Sequence, residues 1–222
     1  MSRTQLGWVF AWGLAVVVAG AMHLRLQQKP ELESGLRRPI VSLEVAETVE
    51  GADRAIERAG GPSKVRTSVY FDFAFILFYV ALFAGLGRLL SREVAGPWCW
   101  LGVAAIVCAV ATGALDVLEN VRILEYLRAF EGGLERLARV DSMRAASLLK
   151  WGAFFLTMAL LTPPLWLAGG HLAALACLCA AVAALGACGL AIHRPAIEWA
   201  FTLAIAGAAP SIAAIVALWL RT

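Results

Sequence analysis

Charged residues are scarce in this chain: Asp, Glu, Lys and Arg make up 16% of its 222 residues, whereas 61% are hydrophobic. The mean hydropathy is +0.76. Soluble domains carry about 25% charged and about 45–50% apolar residues. The excess of apolar side chains excludes a soluble globule and requires lipid as part of the solvent. The composition therefore predicts a polytopic membrane protein.

Motifs of several common chemistries are missing. The chain has no P-loop, no G-x-G-x-x-G, no G-x-S-x-G elbow and no H-x-x-x-H or H-E-x-x-H pair. Its five cysteines lie in apolar stretches without a C-x-x-C pair, which favours a packing role. We therefore expect no cofactor and no metal. The net charge of +3 is small and dispersed, so nucleic acid is not an expected partner.

Six apolar segments are long enough to cross a hydrocarbon core of about 30 Å, which takes about 17–25 helical residues. Most of the eight tryptophans lie within a few residues of a segment end, where the headgroup region favours an amphipathic ring. The predicted fold is an all-α transmembrane bundle, one domain over residues 1–222. Its six spans are placed at about 6–22, 69–90, 98–118, 151–168, 172–192 and 198–220.

The first segment is open to a second interpretation. Arg3, the apolar run and Ala19-Gly20-Ala21 together resemble a secretory signal with a cleavage site. The run of about seventeen residues is longer than a signal core of about 7–15 residues. We therefore favour an uncleaved anchor; cleavage would leave five spans.

Two stretches are too polar for the membrane core, at about 24–68 and 119–150. The first has apolar residues at three- and four-residue spacing from Leu43 to Ile56, with Glu, Asp and Arg between them. This pattern predicts one amphipathic extramembrane helix over about 40–59, between spans one and two. The second stretch contains Gly132-Gly133 and predicts a broken helical hairpin.

Ionisable residues gather at segment ends that share one side of the membrane. With six spans, the loops after segments one, three and five lie on the same side. The polar residues at these ends are His23, Asp72, Asp116, Glu119, Asn120, Lys150, His193, Arg194 and Glu198.

A polar cluster is expected between the second and third spans. Asp116, Glu119 and Asn120 stand at i, i+3 and i+4, so their side chains share one helix face. Asp72 and Tyr79 share a face of the second span at i+7. A carboxylate is costly in lipid, so Asp72 should face the bundle interior, a cavity or a cation. We predict a ligand-binding site at Asp72, Tyr79, Asp116, Glu119 and Asn120, with Lys150 or Arg122 as counter-charge.

The same residues also have a purely structural interpretation. Charges at helix ends mark the water interface or tie helices together, and Glu119 is placed to pair with Arg122 at i+3. Asp72 and Asp116 are equally suited to a structural hydrogen bond between helices and to a functional pocket.

Three functions are compatible with this pattern. The first is binding of a lipid or small amphiphile at the polar cluster, with the 40–59 helix as a cover. The second is an enzyme acting on a lipid or isoprenoid, with Asp116 as acid and Glu119 as ionised base. The third is a small proton- or cation-coupled transporter that uses Asp72 or Asp116.

Membrane lipid is the expected partner, and the plasma (inner) membrane is the expected location. A ladder of small residues on the fifth segment permits close approach of helices, either within one chain or in a homo-oligomer. The ladder consists of Ala176, Ala180, Ala184 and Cys188.

Overall fold

The computed structural model describes residues 36–207, together with five helical residues of the first apolar segment: Ala11, Gly13, Leu14, Val16 and Val18. Within this part of the chain all regular elements are helices and there is no strand. They are α1 (Pro39–Glu44), α2 (Val49–Ala59), α3 (Pro62–Glu93), α4 (Cys99–Gly132, after a 3-10 turn at Gly96–Trp98), α5 (Leu137–Ala168), α6 (His171–Ala191) and α7 (Pro195–Gly207).

Four helices are long and apolar enough to cross a membrane, namely α3, α4, α5 and α6. This confirms the predicted all-helical membrane architecture and indicates an integral membrane protein. The predicted count of about six spans is not confirmed. The described part of α7 is shorter than a full span, and most of the predicted segment 6–22 and the end of 198–220 lie outside the described residues.

Helices α3 and α4 form an antiparallel pair whose register places the acidic residues opposite each other. At one end, Gly87 meets Gly102 so closely that a Cβ on Gly87 would lie 2.7 Å from the Gly102 carbonyl oxygen. At the other end, Arg66 forms an ion pair of 2.7 Å with Glu131. This register brings the second and third predicted spans face to face along their full length.

Helices α4 and α5 continue as helices beyond the predicted spans 98–118 and 151–168. Residues such as Ile123, Tyr126 and Val140 extend the apolar face and pack in a second core with α1, α2 and the start of α3. The two helices end and restart around Gly133, whose φ of 63° is left-handed and easily adopted by glycine. The predicted hairpin is therefore the shared end of two long helices.

The predicted single helix over 40–59 is two helices, α1 and α2. Thr48 separates them because its side chain accepts a hydrogen bond from the Gly51 amide at the start of α2. Gly60, with φ of 96°, ends α2. Together, residues 36–59 form a cap over the end of the bundle where the acidic residues lie. The cap is joined to α5 by ion pairs of Asp53 with Arg136 (2.6 Å) and Glu47 with Arg144 (2.5 Å).

An apolar belt on the outside of the bundle marks its contact with lipid. On α4, the exposed fractions are 69% for Trp100, 64% for Val107 and 41% for Val121. At 1.5 Å per residue, Trp100 to Val121 covers about 32 Å, close to a hydrocarbon thickness of about 30 Å. Asp116 and Glu119 point inward within this range and therefore lie at membrane depth near one interface.

The predicted small-residue ladder on α6 faces mainly outward. Ala176 is fully buried, but Ala180, Ala184 and Cys188 are exposed. The close packing of α6 against its neighbours is made instead by two glycines, with Gly186 against the ring of Phe155 and Gly189 against Ile197 on α7.

Candidate functional site

Lys150 on α5 is the centre of a buried polar cluster. Its ammonium group forms an ion pair with Glu119 and lies 3.3 Å from both Asp116 Oδ1 and Glu44 Oε2. One helical turn earlier, Ser147 donates a hydrogen bond to Glu119. The spacing of three residues places Ser147 and Lys150 on the same face of α5, opposite the acidic face of α4.

Asp116 joins this cluster to α3. The Tyr79 hydroxyl donates a hydrogen bond of 2.8 Å to Asp116 Oδ2, while Oδ1 faces Lys150. Each oxygen of the buried Asp116 carboxyl group thus faces a donor, as a polar group in an apolar interior requires. Gly113, one turn earlier on α4, allows α3 and α4 to approach closely, because a Cβ at this position would collide with the Val80 side chain.

Asp72 and Asn120 form a second link between α3 and α4. The Asn120 amide donates a hydrogen bond of 2.8 Å to Asp72 Oδ2. Among the described residues, no cation lies within ion-pair distance of Asp72. Asp72 is therefore held by a neutral partner, in contrast to Glu119 and Asp116.

The cap contributes a further carboxyl group. Glu44, the last residue of α1, accepts a hydrogen bond of 3.1 Å from Trp151 Nε1 through Oε2, the oxygen that also faces Lys150. Burial raises the pKa of the Glu44 carboxyl, with attraction to Lys150 acting in the opposite direction and repulsion from Asp116 adding to the rise. Glu44 thus connects the cap directly to the buried cluster.

The structure brings all five sequence-predicted site residues into this region, in two hydrogen-bonded links. Tyr79, Asp116 and Glu119 meet around Lys150, whereas Asp72 pairs with Asn120. Of the two counter-charges considered, Lys150 has this role. Arg122 pairs instead with Glu125 at 2.8 Å and does not contact Glu119.

Sequence reasoning missed Glu44, Ser147 and Trp151. The spacing of Ser147 to Lys150 was a usable signal, because it places a hydroxyl beside the lysine on one helix face. Glu44 had no such signal, since a continuous helix over 40–59 would group it with Glu47 and Glu50 on the polar side. Only the helix break before Thr48 turns Glu44 toward the bundle.

A cavity of about 1250 Å³, including its opening, lies against the cluster. The charged groups that line it, among residues the structure describes, are Glu44, Asp72, Asp116 and Lys150, all at the end under the cap. Glu119 and Asn120 do not line it. The rest of the wall is almost entirely aromatic or aliphatic and runs to Leu86, Met158 and Leu178, with Val16 of the first segment on one side. The aromatic lining residues are Phe75, Tyr79, Phe83, Trp151, Phe154 and Phe201.

Comparison of the chain with protein-family models, with curated proteins and with solved structures finds no significant match.

Asp116 and Glu119 differ in their access to the cavity. The predicted enzymatic pair required both Asp116 and Glu119 at the substrate, but only Asp116 lines the cavity, and Glu119 is held behind it by Ser147 and Lys150. Within the described residues, no group of three or more His, Cys, Asp or Glu side chains has a geometry able to hold a metal ion. His193 is exposed, and His23 lies outside the described residues.

A transporter site often contains broken helices, and the fourth predicted span contains two adjacent prolines, Pro163 and Pro164. Helix α5 continues through Pro163-Pro164 to Ala168 without interruption. Pro210 lies outside the described residues. The discontinuous helices typical of many transporter sites are thus not present in α5.

Proposed function

We propose that this protein binds a lipid or small amphiphile inside the helix bundle. The polar head lies at the end formed by Asp72, Asp116 and Lys150, and the apolar chain lies along the aromatic wall. The observation that carries this proposal is the distribution of polarity in the cavity: among the described residues, every charged lining group is at one end.

The shape of the cavity supports an amphiphile over a compact polar solute. Ligand sites typically combine apolar walls with a few convergent polar groups. This cavity has the same make-up, with the carboxyl and ammonium groups of Asp72, Asp116 and Lys150 set against an apolar wall. A polar solute would leave the apolar end, near Leu86 and Leu178, without a favourable contact.

The depth of the site supports a ligand drawn from the membrane. The outward faces of α4 and α5 at the level of the cluster are apolar: Val117 and Leu149 are exposed by 41% and 61%. The cluster therefore lies close to one membrane interface, where the head of a membrane amphiphile is located.

In this proposal the described helices belong to a bundle of six spans in the plasma (inner) membrane. Segments 6–22 and 198–220 supply the first and last spans. The lining residues Val16 and Ile205, one from each of these segments, support the idea that both pack around the cavity.

Native mass spectrometry of the gently purified protein tests the proposal. We expect the wild-type protein to retain an amphiphile. Cys179→Phe, which places a ring in the cavity from α6, should release it, because Cys179 is buried and lines the wall. Cys188→Phe is the matched control on the same helix, since Cys188 is exposed.

Equal ligand retention by the two phenylalanine variants would show that the ligand lies elsewhere. A wild-type protein that releases no amphiphile, and takes up none when incubated with lipid extract, would refute binding in the cavity. Ala204→Phe, which enters the cavity from α7, provides a second filling variant if Cys179→Phe does not fold.

A further inference from the structure

The cavity lining also indicates the class of head group, an inference that rests on the proposed function. In the part of the chain that the structure describes, three carboxyl groups line the polar end, those of Glu44, Asp72 and Asp116, and they share a single lining cation, Lys150. The Lys150 ammonium is already paired with the fully buried Glu119 behind the cavity. The polar end therefore presents more carboxyl groups than cations to a ligand.

Asp72 is the carboxyl group whose charge is least compensated. Its hydrogen bond comes from the neutral Asn120 amide, and the described residues place no cation within ion-pair distance of it. An ionised carboxylate at membrane depth normally pairs with a cation or faces an aqueous cavity. A cationic head group beside Asp72 would provide the missing partner.

Aromatic rings near this end provide an independent argument for a cation. Phe75 and Tyr79 line the cavity from the same helix as Asp72, with ring centroids 5.5 Å apart. Trp151 lines the opposite side, and the Lys150 ammonium already lies over its ring in a cation–π contact, 4.6 Å from the centroid. Ring faces attract ammonium groups and have no such attraction for carboxylates or phosphates.

The path of the cavity along α3 indicates a single apolar chain. The α3 lining residues Asp72, Phe75, Tyr79, Leu82, Phe83 and Leu86 follow one helix face. At 1.5 Å per residue, the distance from Asp72 to Leu86 is about 21 Å. The wall is thus long and mostly apolar, with one polar end.

We infer that the ligand is a single-chain amphiphile with an ammonium head group, held by Asp72 and Asp116. The ammonium group donates hydrogen bonds to the two carboxylates and contacts the aromatic rings. The chain extends toward Leu86 and Leu178. Neutral heads are bound more weakly because they leave Asp72 without a cation, and anionic heads are repelled.

Three probes with the same twelve-carbon chain separate the head group from the tail: dodecylamine, dodecanol and dodecyl phosphate. Binding is measured by native mass spectrometry and calorimetry on the full chain in nanodiscs of zwitterionic lipid at pH 7, with protein-free nanodiscs as the blank. We expect dodecylamine to bind about tenfold or more tightly than dodecanol, and dodecyl phosphate to bind most weakly.

Variants then locate the selectivity. Asp72→Asn and Asp116→Asn should each reduce dodecylamine binding about tenfold and leave dodecanol binding within about twofold. Glu131→Gln is the control, because Glu131 is exposed and pairs with Arg66 far from the cavity. The comparison of probes on the wild-type protein remains decisive if one variant does not fold.

The outcomes distinguish this inference from the proposed function. Loss of binding of all three probes in Cys179→Phe would support the proposed function. If dodecyl phosphate then binds most tightly, or if Asp72→Asn and Asp116→Asn have no effect, the ammonium inference is overturned and the proposed function stays in place. Absence of binding by every probe, together with no retained amphiphile, would refute both.

Discussion

The Tyr79 hydroxyl donates a hydrogen bond of 2.8 Å to Asp116 Oδ2, and this bond joins α3 to α4 inside the bundle. Both side chains are buried, with 6% of each residue exposed. The bond therefore satisfies a polar pair that is largely removed from solvent, and its loss leaves a carboxyl oxygen without this donor.

Tyr79→Phe should lower the free energy of unfolding by about 1–3 kcal/mol, the cost of a buried acceptor that loses its donor. Tyr70→Phe is the control, because Tyr70 is 60% exposed, and its effect should be within about 0.5 kcal/mol. The measurement is SDS-induced unfolding in mixed micelles. Equal effects of the two substitutions would show that the Tyr79 bond adds no stability.

Lys150→Met should be among the most destabilising single changes, by about 3–5 kcal/mol, because it leaves buried carboxylates without their cation. Glu119→Gln in the same chain should restore at least about 1 kcal/mol of this loss, since it removes the charge closest to position 150. Lys64→Met is the control at an exposed site. The same unfolding assay is applied to the wild type, to these variants and to Glu119→Gln alone, and strict additivity of the two changes would contradict the coupling.

Glu44 should make the stability depend on pH. Its pKa is raised by burial, so the native state holds the Glu44 proton more tightly than the unfolded chain does. The resulting contribution of Glu44 to the free energy of unfolding is fully present below the ordinary carboxyl pKa of 4.5. It is lost as the pH rises through the pKa of Glu44 in the native state. The groups that face the Glu44 carboxyl are Lys150 and Trp151 on α5 and Asp116 on α4. Arg38, the residue before α1, lies nearby.

Glu44→Gln mimics the protonated side chain at every pH. Its melting temperature relative to the wild type should therefore increase from pH 4.5 to pH 8. Differential scanning fluorimetry in nanodiscs measures the difference. A difference that stays constant or reverses over this range would mean that Glu44 is ionised throughout.

Gly87→Ala should destabilise the α3–α4 pair by about 1–3 kcal/mol, because the new Cβ would lie 2.7 Å from the Gly102 carbonyl oxygen, a backbone atom. Gly152→Ala is the matched change on α5. No atom lies within 4 Å of its Cβ position, and alanine favours a helix over glycine by about 0.5–1 kcal/mol. The melting temperature should therefore fall in Gly87→Ala and rise in Gly152→Ala. An unchanged melting temperature of Gly87→Ala would show that the two helices separate easily at this point.

The sequence predicted the helical membrane architecture because hydropathy directly measures the transfer of side chains into lipid. It did not predict where the helices end, because the helix ends depend on packing and on glycine and not on the boundary of the lipid. Residues 123–127 of α4 remain helical outside the predicted span because they pack against the cap, and the helix stops only at Gly132–Gly133. Contacts of this kind depend on a distant part of the chain.

Within the site, helical spacing predicted the face shared by Asp116, Glu119 and Asn120, because that geometry is local. The pairing of each residue was not predictable, since it depends on the register between helices. Arg122 is an example, because it is three residues from both Glu119 and Glu125 and could pair with either. In the structure Lys150 pairs with Glu119, and Arg122 pairs with Glu125.

The cavity wall draws on both early and late parts of the chain, from Val16 to Ile205. During synthesis, Asp72, Asp116 and Glu119 leave the ribosome before Lys150, and Phe201 follows later still. Membrane insertion therefore passes through a stage in which the acidic helices have been made but their lysine has not. The cavity wall is completed only when α7 joins the bundle, so premature release of the nascent chain would yield a protein whose cavity is incomplete.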